Sequence, residues 1–185
     1  MTDTTQISRR ALAWLAVGVA TTAAAPSFGQ IRRPMASVTS GSWMDQVKAQ
    51  HRMVDTLFLQ LKGTQEGQGP RRTMLLKQLA DTLTAHSVAE EVCLYPGIAM
   101  MNAVPKSDEL YMEQSHAKVI LAELDRMPKR GPEFPMRLTT LEMAVKEHVA
   151  DEENNVYPRL MRASSPEQNA KMTADFRLHY NKHIV

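Results

Sequence analysis

His86 and Glu90 stand four residues apart, and so do His148 and Glu152. On an α-helix this spacing puts an imidazole and a carboxylate on one face, about one turn from each other. Each pair belongs to a longer pattern, His-x3-Glu-Glu-x3-Tyr-Pro, which runs without a gap from His86 to Pro96 and again from His148 to Pro158. Imidazole nitrogen together with carboxylate oxygen suits a first-row transition metal. The duplicated segment therefore points to metal ligation, and the rest of the chain is the scaffold that must bring its two copies together.

The hydrophobic periodicity supplies that scaffold. Ser42, with Asp45 three residues later, makes an N-cap pair for a first helix running to about Lys62. Val47, His51, Val54, Phe58 and Leu61 share one of its faces. Gly63 to Gly69 breaks it, and Pro70 opens a second helix that runs to Tyr95. The inner face of the second helix reads Leu76, Leu79, Leu83, His86, Glu90 and Cys93. A short connection over 98–106 leads to a third helix, with Ser107 as its cap and Met112, His116, Val119, Ile120, Glu123 and Met127 along it. The prolines between Pro128 and Pro135 make a loop. A fourth helix from Pro135 to Tyr157 turns Leu138, Leu141, Val145, His148 and Glu152 inward. Ser165-Pro166-Glu167-Gln168 starts a shorter fifth helix. The expected fold class is all-α, an up-down-up-down antiparallel four-helix bundle over 42–162 with a C-terminal helix over 163–185.

In such a bundle four histidines fall at one level. His51 and His116 lie nine residues after their caps, and His86 and His148 nine before the tyrosines, which is ~13 Å from one end. Glu90 and Glu152 point into the same layer, where an ionised carboxylate needs a cationic partner. No Lys or Arg is expected at that depth. Six side chains (His51, His86, Glu90, His116, His148 and Glu152) exceed what a tetrahedral zinc takes. They leave positions open on two six-coordinate irons. The donor set favours a pair of non-haem Fe ions bridged by oxide or hydroxide, over manganese or a mixed pair.

With these residues in view the chain resembles the hemerythrin-like proteins of the HHE cation-binding class. The resemblance covers about residues 42–160 and rests on His51, His86-x3-Glu90-Glu91, His116, His148-x3-Glu152-Glu153 and the Tyr-Pro that closes each second helix. It implies a four-helix bundle with a di-iron site that binds O2 or a related ligand, the ligands being the six residues above and both glutamates bridge candidates. Members of the parent group place a further histidine four residues after the third one, where this chain has Ile120. That puts reversible O2 carriage in question.

Other residues have plainer readings. Asp55 and Glu113 lie close in sequence to His51 and His116, but are expected as solvated side chains rather than ligands. Glu91 and Glu153 turn about 100° from their neighbours, toward the periphery of the site or the surface. Cys93 is read as a small packed apolar group, Tyr95 and Tyr157 as wedges at the bundle end with hydroxyls in reach of a hydrogen bond. His179 and His183 are read as exposed histidines of a helical tail rather than as a second metal site.

The first thirty residues are expected to be an export signal. Ser8-Arg9-Arg10 precedes an apolar run from Ala11 to Ala25, too short for a typical membrane span, followed by Pro26-Ser27-Phe28-Gly29. The arginine pair leans toward the twin-arginine route and a periplasmic or otherwise exported product, and residues 31–41 read as a linker. A formal charge of +2, with 22 basic against 20 acidic residues and no basic stripe, argues against a nucleic-acid partner. Cys93 is alone, which excludes an intramolecular disulfide. Three functions compete. The chain binds O2, NO or peroxide, in sensing or in oxidative or nitrosative stress. Or it is an enzyme that detoxifies peroxide or NO or repairs iron centres. Or it is an iron-holding or structural bundle. No separate acid–base constellation speaks for catalysis. The oligomeric state is not legible.

Overall fold

The computed structural model describes residues 41–184, and these are helical with no strand among them. The expected signal and most of the linker lie outside the described residues. In chain order the elements are α1 (Trp43–Lys62), α2 (Gly69–Cys93), α3 (Tyr95–Met100), α4 (Val104–Arg126), α5 (Glu133–Asp151), a π-helical turn (Glu152–Val156), α6 (Tyr157–Ala163) and α7 (Pro166–His183). Two starts follow the sequence signals closely. Ser42 and Asp45 form a reciprocal capping box on α1, and Ser165 and Gln168 form another on α7.

The third long helix departs from expectation. It begins at Val104, with Pro105 in its first turn. Ser107 is not its cap: it is buried within the helix and its hydroxyl donates to the Tyr95 carbonyl at 3.1 Å. The expected face holds only in part. Ile120 is buried and Met127 packs against the core, but Met112 and Val119 are 66% and 56% exposed, and Leu110, Gln114 and Leu124 are buried instead. The short connection expected over 98–106 shrinks to 101–103, since the chain is helical through Met100 and again from Val104.

The long helices contact one another in a ring: α1 meets α2, α2 meets α4, α4 meets α5 and α5 meets α1. This is an all-helical bundle. α7 packs against α2 and α1 and is a working wall of it rather than a tail. Trp43 shows how the wall is fixed. Its indole N–H donates to Asn169 Oδ1 at 2.8 Å and its backbone N–H to Thr173 Oγ1 at 3.0 Å, while Asn169 Nδ2 donates to the Met161 carbonyl at 3.1 Å. Asn169→Ala leaves the buried indole N–H unpaired and is expected to lower stability by about 1–3 kcal/mol. Urea denaturation checks this: the midpoint should fall with an unchanged slope.

The core has two apolar clusters. One gathers Val54, Phe58, Leu61, Leu76, Leu79, Leu121, Leu124, Leu138 and Val145; the other gathers Trp43, Val47, Ala89, Tyr95, Leu110, Val156, Tyr157 and Phe176. Along α1 the chain passes from the second cluster at Val47 to the first at Val54 through His51. α2 passes between them through His86, α4 through Gln114, and α5 with its π-turn through His148 and Glu152. A polar layer thus lies between two apolar ones, and the burial of those apolar side chains, about 1.5–3 kcal/mol each, holds it closed.

Candidate metal centre

Glu90 and Glu152 are completely buried, and His51, His86 and His148 are 4%, 4% and 8% exposed. One donor atom from each of His51, His86, Glu90 and Glu152 lies within 4.8 Å of the others. His86 Nε2 is 3.1 Å from Glu90 Oε2, and His51 Nε2 is 3.5 Å from Glu152 Oε2. His148 joins from the other side, its Nε2 3.2 Å from Glu152 Oε1. The structure therefore brings together five of the six residues expected from the sequence.

His116 is the sixth, and it does not face the cluster. Its side chain is exposed on α4. The reason lies in the register of that helix. Leu110, Leu121 and Leu124 are its buried apolar anchors, and the residue they carry into the polar layer is Gln114, two positions before His116. Gln114 is 4% exposed and donates from Nε2 to Glu90 Oε2 at 2.7 Å. Ile120 is buried in the apolar cluster beyond the site.

The outer nitrogen of each imidazole is held. His51 Nδ1 donates to Glu153 Oε1 at 2.7 Å, His86 Nδ1 to Gln50 Oε1 at 2.9 Å and His148 Nδ1 to Glu113 Oε2 at 2.6 Å. An acceptor on Nδ1 fixes the tautomer with the Nε2 lone pair turned inward, as at metal-ligating histidines. The inner nitrogens of His51 and His86 then face each other at 3.2 Å. Two lone pairs at that distance repel unless a proton or a cation is shared. Two nitrogens bound at about 2.0–2.1 Å to one ion would be roughly 2.9–3.4 Å apart. The donors present fit a metal ion. Glu113 and Glu153 thus have a definite task, orienting imidazoles. Asp55 is exposed, Glu91 pairs with Lys118, and neither His179 nor His183 belongs to the buried cluster.

The electrostatics ask for positive charge. Burial works against an imidazolium at His51, yet contact with Glu152 and the charge of Glu90 raise its pKa above the ordinary value. At His148 burial is likewise outweighed, chiefly by the charge of Glu152, and the pKa reaches about 10. Burial would raise the Glu152 carboxyl, but His148 and His51 together hold it well below the usual carboxylate range. Without a metal, protons on imidazole stand in for the cation.

Both tyrosines close the site from the second apolar cluster. Tyr95, carried by the first copy of the repeat, donates to Glu152 of the second at 2.9 Å. Tyr157, carried by the second, donates to Glu90 of the first at 2.7 Å and lies 2.6 Å from Glu152 Oε1. Burial and the two carboxylates push both phenols well above their ordinary pKa, so they remain donors. The Tyr-Pro dipeptide places them. Proline has no N–H and crowds the carbonyl four residues back. Regular helix accordingly stops between Cys93 and Tyr95, and the equivalent stretch in the second copy widens to the π-turn that starts at Glu152. The irregularity lets a glutamate and the tyrosine five residues later face one interior. Tyr157→Phe removes a donor from the carboxylates and is expected to cost about 1.5–3 kcal/mol, read by thermal unfolding of the metal-free protein.

A cavity of about 30 Å³ adjoins the layer, lined by His51, His86, Gln114 and His148 on one side and by Val54, Leu83, Ala117, Leu121 and Val145 among others. Space of this size admits a water or a diatomic molecule.

A helical bundle that buries imidazoles and carboxylates around a cation site defines a class of metal-binding protein, and comparison with known families gives it a name. The hemerythrin HHE cation-binding domain matches residues 44–160. The chain belongs to this family. It is also similar to a DNA nickase of Nostoc sp. (strain PCC 7120 / SAG 25.82 / UTEX 2576), 30% identical over 139 residues. The similarity takes in 75% of this chain and 39% of that protein, so the chain spans about two fifths of the relative's length. No solved structure matches.

Proposed function

We propose that this protein holds two non-haem irons and binds a small ligand, O2, NO or peroxide, at them. The observation that carries the reading is the cavity: apolar on most sides, of diatomic size, and bordered by all three inward imidazoles. Iron would supply a redox-active Lewis acid there. The chain's own residues do the rest. His51, His86, His148, Glu90 and Glu152 are the ligand candidates, and both carboxylates are candidates to be shared. Tyr95 and Tyr157 hold protons at carboxylate oxygens, and the apolar walls exclude bulk water. The reading includes export, on the strength of the N-terminal arginine pair and apolar run. The test is anaerobic loading with Fe(II) followed by admission of O2 or NO. Charge-transfer absorption should appear in the wild type and be lost in His86→Ala; a wild type silent to both gases sinks the proposal. Steady-state consumption of peroxide or NO would turn it toward an enzyme.

The nickase relative motivates a second reading, metal-dependent cleavage of DNA. Its difficulty is access: the donor residues are at most 8% exposed, and a phosphodiester in a duplex cannot follow a diatomic molecule into the layer. Conversion of supercoiled plasmid to the open circle, dependent on added metal and lost in His86→Ala, would favour it.

No helix among the described residues is long and apolar enough to cross a membrane.

A further inference from the structure

The two halves of the bundle repeat one another, and the repeat is imperfect at one atom that matters. On α1, Val47, His51, Val54, Phe58 and Leu61 run along the inner face. On α4, Leu110, Gln114, Ala117, Leu121 and Leu124 do the same at a constant offset of 63 residues. The residues just before the inward ones also correspond. Gln50 takes the Nδ1 proton of His86, and Glu113 takes that of His148. Gln114 therefore occupies the place that His51 holds in the first half. The outer carboxylates follow suit: Glu153 holds His51, while its counterpart Glu91 is left to Lys118, because a glutamine has no second ring nitrogen to orient.

We infer that the two metal positions are unequal and that Gln114 supplies its amide oxygen to the weaker one. This rests on the dimetal reading above. The first position has two imidazoles, His51 and His86, whose Nε2 atoms are 3.2 Å apart. The second has one, His148, beside Glu152 Oε1 at 3.2 Å. Gln114 completes it. Its Nε2 is used by Glu90, but its Oε1 is buried without any hydrogen-bond partner. Glu152 Oε2 is likewise buried without a hydrogen bond, its nearest partner being His51 Nε2 at 3.5 Å. Native structures seldom leave such acceptors unpaired, and a cation at the second position would satisfy the amide oxygen of Gln114, a residue that lines the same cavity as the imidazoles. A neutral amide oxygen is a harder and weaker donor to iron than imidazole. The first position fills first, and the second ion is the one that leaves.

Anaerobic calorimetric titration of the metal-free full-length protein with Fe(II) tests this. The wild type should take up one ion tightly and a second at least about 10-fold more weakly, the scale that even supporting contacts of metal sites command. Gln114→His should close the gap. Gln114→Leu should keep the first event within about 2-fold and lose the second, with circular dichroism confirming the fold. Two equal events in the wild type, or two unchanged events in Gln114→Leu, would overturn the inference while leaving a dimetal protein. A single ion in the wild type and in Gln114→His alike would overturn both it and the dimetal reading.

Discussion

Glu152→Ala is expected to abolish metal retention and to cost the metal-free fold about 3–5 kcal/mol, the usual loss when one partner of a buried ion pair is removed. No other side chain in the centre has so many dependants. Its carboxylate lies 3.2 Å from His148 Nε2 and 3.5 Å from His51 Nε2, it accepts the Tyr95 hydroxyl at 2.9 Å, and the Tyr157 oxygen lies 2.6 Å away. Truncation strands the Tyr95 donor and removes the charge that raises the His148 pKa. Metal analysis of purified protein and urea denaturation of the metal-free form read the two effects separately. A variant that keeps the wild-type metal content would show that Glu152 is dispensable to the site.

Metal removal should also change the sign of the protein's response to alkali. In the metal-free chain His148 has its pKa raised to about 10, against an ordinary 6.5 in the unfolded chain. The stabilisation it provides is fully present below about pH 6.5 and is lost as the pH rises toward 10. The loss approaches about 1.4 kcal/mol per pH unit in that window. His51, shifted in the same direction, adds to it. When metal replaces those protons the penalty disappears, and ligation itself strengthens as competing protons are withdrawn. The melting temperatures of the metal-free and iron-loaded forms should therefore diverge between pH 6.5 and 9. Parallel curves would mean that protons and metal do not compete for one set of atoms.

Much of this was legible before any coordinates. The faces of α1, α2 and α5 were correctly read because strong apolar residues at helical spacing flank His51, His86 and His148 on both sides. The partners of the imidazoles were less so. Glu113 and Glu153 look like surface acids in sequence, and only the packing of neighbouring helices shows which nitrogen each one reaches. The error at α4 has a definite cause. A histidine is a familiar metal ligand and a glutamine is not, but the register of α4 is set by the leucines at 110, 121 and 124, which turn Gln114 inward and His116 out. The 63-residue offset between α1 and α4 was the available signal, and it points to Gln114. Proline after tyrosine announces an end or a kink in the helix, but not that the phenol reaches the carboxylate of the other repeat; Pro96 and Pro158 fall in the first turn of the next segment.

The phenols reach across: Tyr95 serves the carboxylate of the later repeat, and Tyr157 that of the earlier one. Neither hairpin is self-sufficient. A fragment ending near Met100 would hold a glutamate lacking its phenol and a phenol lacking its glutamate, while its complement would lose the Tyr95 donor to Glu152 and the Glu90 acceptor of Tyr157. Chains cleaved between Met100 and Val104 should thus reassemble as unlike pairs, each piece acting as the template that completes the other.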